Sequence, residues 1–299
     1  MSSGSRWLSA FALAVAILLA GHRLVPAEGI GTLLDSVLLW SGLIILVLIV
    51  VALFPGRRPV LAVLAVPLVI WLIMFGPMVW PKQGSGTAEL RVISQNLDAA
   101  NPDPCGALRE LGRDSADLIA VEELTGRSEG CDMDLPHQVR KGTVALWSRF
   151  PITGSTPLEL GLGWPRALRA TVTTPRGAIT VYVVHLPSAR PGATVDRDAG
   201  LRALAGLLAA EPPGPVLVAG DFNTASTDRA FDLFTGYRNA QREAGTGFGF
   251  TWPAAFPVTR PDHLLSRGLT AVYSDTLPAR GSDHLGIAAG FISRAATGN

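Results

Sequence analysis

Val216-Leu-Val-Ala-Gly-Asp-Phe-Asn223 is a short aliphatic, valine-rich run that ends in a glycine, a carboxylate and an amide. A run of this length and composition reads as a buried strand, with the polar residues behind it as its terminal turn. One such ending is commonplace, because strands usually close in polar turns. Outward from this stretch, however, the same arrangement recurs. His185 follows Val-Tyr-Val-Val, Glu122 and Glu123 follow Leu-Ile-Ala-Val, and Asn96 follows Arg-Val-Ile-Ser-Gln. Asp262 and His263 precede Leu-Leu, and Asp283 and His284 precede Leu-Gly-Ile. Strand ends are where rigid scaffolds present reactive groups, and these ends all carry oxygen ligands or imidazoles.

Between those points, residues 91–95, 118–122, 144–147, 167–173, 179–184, 216–219 and 263–265 read as strands, as do the stretches around Ala271 and Ile287. Residues 196–210 read as a helix: Leu201, Leu204 and Leu208 share a face and Pro212 stops it. Residues 107–111 and 229–234 read as shorter helices. Strands and helices mixed in this order predict an α/β domain around a large sheet core.

The chain has 299 residues and a net charge of +1, yet only 16% of its residues are charged, against about a quarter in a typical soluble domain. The deficit lies before Gly84. There, Arg6, Arg23, Arg57, Arg58 and Lys82 face only Glu28 and Asp35, a net +3. The remaining 20 basic and 22 acidic residues give the rest of the chain −2. This excludes a fully soluble protein and a disordered chain, and it disfavours a basic nucleic-acid binder. Apolar stretches run over 7–20, 33–54 and 60–80. The last two meet the length of about 20 residues that a spanning helix needs. Pro67 is tolerable in such a helix, and Trp40, Trp71 and Trp80 are residues that favour interfaces. The first stretch reads as a retained helix, the alternative being a cleaved signal peptide.

The predicted organisation is a transmembrane anchor over 1–82 with helices over 7–23, 32–54 and 59–80, a Gly/Ser linker over 83–88, and a catalytic domain over 89–295. Arg57 and Arg58 form the densest basic pair between spans and should stay cytoplasmic. The expected location is therefore the cell membrane, multi-pass, with the large domain extracytoplasmic. Cys105 and Cys131 both lie in that domain, and an oxidising compartment makes them a candidate disulfide, the alternative being two unrelated thiols.

The ordered set Gln95-Asn96, Ala116-Asp-Leu-Ile-Ala-Val-Glu-Glu-Leu124, Ser148-Arg-Phe-Pro-Ile152, His185-Leu186, Gly220-Asp-Phe-Asn223, Arg260-Pro-Asp-His263 and Ser282-Asp-His284 resembles the endonuclease/exonuclease/phosphatase superfamily. That superfamily includes nucleases similar to DNase I, inositol-polyphosphate phosphatases and bacterial sphingomyelinases. The resemblance runs from about 90 to 293. It implies a four-layer sandwich of two packed mixed β-sheets flanked by helices, here preceded by a three-helix transmembrane segment. Three-helix anchors ahead of such a domain also occur in teicoplanin-resistance membrane proteins of the VanJ type, an architectural analogy that points to the cell envelope and antibiotic resistance.

Phosphate-ester hydrolysis needs charge neutralisation on the phosphoryl oxygens, an activated water and a stabilised leaving group. Carboxylate and amide oxygens suit Mg²⁺ or Mn²⁺. The resemblance makes Glu123 the main metal ligand, with Asn96 and Asp283 assisting. Glu122 stands where the family has glutamine. His284 is implied as general base or as a phosphate-stabilising imidazolium, with Asp262 orienting it. Asp221 handles the water or the leaving oxygen, and its role stays open. His185 and Asn223 would hydrogen-bond phosphate oxygens. Arg166 either binds phosphate or forms a rim salt bridge. Arg149 is expected to serve structure, and His263 to be a neighbour rather than a catalyst.

The function expected from this reading is a membrane-tethered, extracytoplasmic, Mg²⁺-dependent phosphoester hydrolase acting on a lipid-linked or cell-envelope phosphate, with no protein partner. The alternatives are an extracellular metal-dependent nuclease, a phosphodiesterase resembling sphingomyelinase and a catalytically silent binding module. A transporter is disfavoured, because Asp35 near an end is the only acidic residue inside the three apolar stretches.

Overall fold

A computed structural model describes residues 3–82, 84–190 and 192–293. The expected 83–88 linker and the 89–295 domain therefore each include positions outside the described residues. The N-terminal part is helical: α1 (Ser3–Gly21), α2 (Thr32–Leu38), α3 (Ser41–Ala52) and α4 (Val60–Val79). Two helices, Ser3–Leu24 and Val60–Val79, are long and apolar enough to cross a membrane. A third crossing exists only if the bent pair Ala27–Leu38 and Ser41–Ala52 counts as one.

The single helix expected over 32–54 is thus corrected to two pieces inclined by 50°. The break coincides with a long-range contact to the globular domain, between Asp35 and Arg229. Helix α2 carries Asp35 and turns toward the globular domain, whereas α3 continues as uniform aliphatic sequence. The indole Nε1 of Trp71 donates to the Leu39 carbonyl at 2.8 Å, which also accepts from the Gly42 amide at 3.2 Å, so the acceptor at the bend is bonded twice. Gly42 is required there, because a Cβ at that position would sit 2.6 Å from the Trp71 ring.

The remaining elements are β1 (Leu90–Asn96), α5 (Pro104–Arg113), β2 (Leu118–Glu122), β3 (His137–Lys141), β4 (Val144–Ser148), β5 (Ile152–Leu158), β6 (Ala167–Thr174) and β7 (Gly177–His185). They continue with α6 (Val195–Ala210), β8 (Val216–Asp221), β9 (Arg238–Asn239), α7 (Ala240–Ala244), β10 (Asp262–Arg267), β11 (Leu269–Leu277) and β12 (Gly286–Ser293). They form two six-stranded mixed sheets, ordered β11-β12-β1-β2-β4-β3 and β5-β6-β7-β8-β10-β9. Val92, Leu146, Val181, Leu217 and Phe291 pack between the sheets. Leu108 and Leu111 of α5 cover the outer face of the first sheet, and Leu201, Leu204 and Leu208 of α6 cover the second. The four-layer sandwich expected from the sequence is present. Cys105 and Cys131 form a disulfide with Cα atoms 5.2 Å apart, tying α5 to the segment before β3.

The helical unit is bolted to the sandwich at one end. Arg229 donates through Nε to Asp35 Oδ2 at 2.7 Å and reaches the carbonyls of His22 and Val25. Both ends of the Arg229–Asp35 pair are largely buried. Thr32 donates to Asp228, and Arg197 bonds both Thr32 and Asp228. Trp40 Nε1 donates to the Val258 carbonyl at 3.1 Å. The opposite end of the unit holds the start of α1 and the α3–α4 turn, joined where Ser5 Oγ donates to the Gly56 carbonyl at 3.3 Å. Arg6, Arg57 and Arg58 therefore gather at the end away from the sandwich, whereas Arg23 pairs with Asp232 on the sandwich side.

Candidate active site

Strand register places the polar ends beside one another. In the second sheet His185 lies opposite Asp221, and Asp221 opposite Asp262, so three neighbouring strands deliver three ionisable groups in a row. In the first sheet Asn96 lies opposite Glu122. Glu123 follows at once, and the turn before β12 adds Asp283 and His284. Gly220 makes the close approach workable: its φ is +143°, and a Cβ there would meet the Val184 carbonyl oxygen at 1.9 Å. Asp98, Glu123 and Asn223 adopt positive φ of 60°, 59° and 48°. Non-glycine residues seldom do so, and such strain gathers where a site fixes the aim of a side chain.

Asn96 is the hub. Its Nδ2 donates to Glu123 Oε1 and Asp221 Oδ2, both at 3.0 Å, and its Oδ1 accepts from the Asp98 amide. Glu123 also accepts from the Ala99 amide at 2.8 Å and lies 3.3 Å from His185 Nε2. Asp221 accepts from the Asn223 amide and side chain, and Asn223 in turn donates to the Leu186 carbonyl. His284 Nδ1 meets Asp262 Oδ2 at 3.0 Å, while its Nε2 points inward, 3.9 Å from Asp221 and 3.8 Å from Asp283. Thr251 donates to the same Asp262 oxygen.

Electrostatics separate these groups. Burial would lower the His284 pKa, but the carboxylates of Asp262, Asp221 and Asp283 outweigh it and raise it to about 10. The second histidine goes the other way: burial and the Arg166 guanidinium push His185 down to about 4. Asp221 is raised to about 7, first by burial and then by Asp262. Glu122 is pushed well above the ordinary carboxyl range by complete burial, with Asp262 adding to it. Only one Glu122 oxygen is engaged, by Ser94 at 3.0 Å, and the other has no hydrogen-bond partner. A neutral Glu122 has the shape of the glutamine it replaces.

Two triads could hold a cation: Glu123, His185 and Asp221, and Asp221, Asp262 and His284, each with ligand atoms within 4.8 Å of one another. Each set offers two carboxylates and one imidazole, a donor set that accepts a hard divalent ion; in the second, Asp262 is already bonded to His284 and Thr251, which leaves the first the freer of the two. Asn96 turns its amide nitrogen to the two carboxylates and so holds them in place. Asp283, also expected at the metal, belongs to neither triad. It accepts from Trp252 Nε1 at 3.0 Å and is about half exposed. Among the described residues Arg166 has no salt-bridge partner; its guanidinium binds the His185 carbonyl and ring and lies over Trp164. Arg149 pairs with Asp117, and His263 is turned into Phe222 and Phe231 with both nitrogens occupied by Asn239 and Thr224.

Several site residues had no separate signal in the sequence. Thr251 and Trp252 support Asp262 and Asp283 respectively, whereas Ser282, which donates to the Asn96 carbonyl, was already part of the Ser-Asp-His motif. Arg190 and Ser188 line the cleft beside Glu123. Their one clue was position, in the loop directly after His185. Least expected of all are Leu33, Val37 and Trp40, which line that cleft from the helical unit.

The fold and this constellation define a phosphoesterase-type sandwich. The Endonuclease/Exonuclease/phosphatase family pattern matches residues 93–284, and the chain belongs to that family. Among solved structures, a protein of unknown function from Enterococcus faecalis V583 is similar, with TM-score 0.58 and 17% identity over 69% of this chain and 100% of that one. So is TDP2 of D. rerio complexed with single strand DNA product, with TM-score 0.59 and 18% identity over 68% and 99%. A family protein from Leptotrichia buccalis C-1013-b gives TM-score 0.55 and 15% identity over 68% and 99%. At these identities the likeness is one of fold. No curated protein matches the chain in sequence.

Proposed function

We propose that the protein is a membrane-tethered, extracytoplasmic phosphoester hydrolase, dependent on Mg²⁺ or Mn²⁺, acting on a lipid-linked phosphate of the cell envelope. One observation carries the lipid reading. The cleft of about 530 Å³ that holds Glu123, Asp221 and His284 has α2 of the helical unit as its other wall. A phosphate in that cleft lies against Leu33, Val37 and Trp40. Against these apolar residues the lining sets Arg190, whereas a nucleic-acid groove would carry a track of basic residues. The extracytoplasmic assignment draws support from Arg6, Arg57 and Arg58 gathering at the far end and from the disulfide.

Glu123 and Asp221, steadied by Asn96, would hold the cation, which neutralises phosphoryl charge when bound. The raised pKa of His284 fits the imidazolium reading, with Nε2 facing the phosphoryl oxygens and Asp262 fixing the ring. Asp221 also faces His284 Nε2 at 3.9 Å, close enough to orient a water between them. Asn223 and Arg166 bracket the site for the remaining oxygens. The envelope assignment and a relation to VanJ-type resistance proteins rest on the helical unit preceding the family domain.

The full chain in nanodiscs with Mg²⁺ or Mn²⁺ is tested on long-chain alkyl phosphates, a soluble chromogenic phosphodiester and plasmid DNA. Lipid phosphate should be the best substrate, and Glu123→Ala or excess EDTA should abolish turnover. Preferential cleavage of DNA, or full activity in EDTA, overturns the reading.

A further inference from the structure

Beside the catalytic cleft lies a second, wholly apolar chamber of about 440 Å³. Its walls include Leu43 and Leu46 of α3, Trp71 of α4, and Phe250 of the globular domain. Phe248 stacks on Phe250 with ring centroids 5.3 Å apart, and Phe250 stacks on Trp40 at 5.8 Å. The two indole donors at the chamber are already spent, Trp40 on the Val258 carbonyl and Trp71 on the Leu39 carbonyl. No charged side chain lines it. A polar ligand would find nothing to bind.

Trp40 lines both the chamber and the catalytic cleft. Leu33 and Val37, at i and i+4 on α2, and Trp40 in the bend that follows all line the cleft. An apolar stripe therefore leads from the phosphate site to the chamber. The chamber's other side is open: Leu43 and Leu46 are each 56% exposed, on a helix that is aliphatic from Leu43 to Ala52. On the opposite side of Glu123 the cleft continues into a lobe of about 470 Å³ lined by Trp164, Arg166, His185 and Arg190. One end of the site is thus polar, with Arg166 and Arg190 beside Glu123 and Asp196, and the other is hydrocarbon.

We propose that the chamber receives the hydrocarbon chain of the substrate, entering sideways from the bilayer past Leu43 and Leu46. The phosphate then sits at Glu123, Asp221 and His284, and the polar remainder points to Arg166 and Arg190. This rests on the lipid-phosphate reading above and adds a tail site to it.

The test uses the full chain in nanodiscs with alkyl phosphates and alkyl p-nitrophenyl phosphates of four and sixteen carbons. Leu43→Trp and Leu46→Trp narrow the chamber without touching the catalytic groups. Wild type should prefer the sixteen-carbon esters, and each variant should lose at least about tenfold in kcat/KM on them, roughly the value of two buried methylenes. Turnover of the four-carbon esters should be unchanged. Retention of the full chain-length preference by both variants overturns the tail site and leaves the lipid reading standing. The absence of any chain-length preference in wild type overturns both.

A readout independent of turnover is photolabelling with hexadecyl phosphate carrying a terminal diazirine. Label should appear in the peptides containing Leu43, Leu46 or Phe250 and be displaced by unlabelled hexadecyl phosphate. Equal labelling by the diazirine of hexadecanol, as for a resident bilayer lipid, overturns the proposal. So does occlusion of this face by a second copy of the chain, read as a dimer whose chamber peptides take no label.

Discussion

His284 and Asp262 show how much can depend on one hydrogen bond. Asp262 is buried and shares its Oδ2 between His284 and Thr251. If the pair acts as a unit, removing either member costs most of what removing both costs. His284→Ala and Asp262→Asn should each lower turnover by about 10²- to 10⁴-fold. Their double variant, at saturating Mg²⁺, should fall little further, and additive losses would refute the unit. Glu122 offers a different test. Its neutral form contributes stability that is complete below the unfolded carboxyl value of about 4.3 and is lost as pH rises through the raised folded value. In EDTA, Glu122→Gln should therefore melt higher than wild type at neutral pH, and the gap should close as pH falls toward 4. A gap that is constant with pH refutes a neutral buried acid. Most of these side chains were legible, because each ends or begins an apolar strand. The orientation of Asn96 was not, since it depends on Glu123 and Asp221 arriving from two different sheets.

At the scale of elements, the strands predicted from valine-rich runs correspond to β1, β2, β4, β6, β7, β8, β10, β11 and β12. Those without a clear signal were β3, β5 and β9. In each of these three no residue is fully buried, so water rather than the core set their composition and the alternation was lost. The bend between α2 and α3 was equally hidden. Residues 33–54 read as one apolar run, and the group that turns α2 aside, Arg229, lies 194 residues from Asp35. That contact yields a prediction. Removing the guanidinium leaves a buried carboxylate unpaired, a loss of about 3–5 kcal/mol in comparable buried pairs. Arg229→Ala should therefore loosen α2 and depress turnover of long-chain phosphates more than that of a soluble phosphodiester. Equal losses on both would mean that α2 serves only as a support.

For the whole molecule, the sequence separates an almost uncharged N-terminal part from a globular domain of ordinary charge, but gives no hint that the first completes the cleft of the second. Its prediction of sidedness is checked directly: a reporter fused after Ser293 should behave as an exported protein. Activity only as a cytoplasmic fusion would place the catalytic domain on the wrong face. The α2 wall then has a kinetic consequence. On the proposed reading, with the helical unit as its membrane anchor, the enzyme would not leave the surface to search for substrate and would meet only molecules diffusing within its own leaflet. Its working concentration is a mole fraction in two dimensions. Diluting the substrate with inert lipid should slow it even when the amount per millilitre is unchanged, whereas diluting whole vesicles with buffer should leave the rate per enzyme nearly constant.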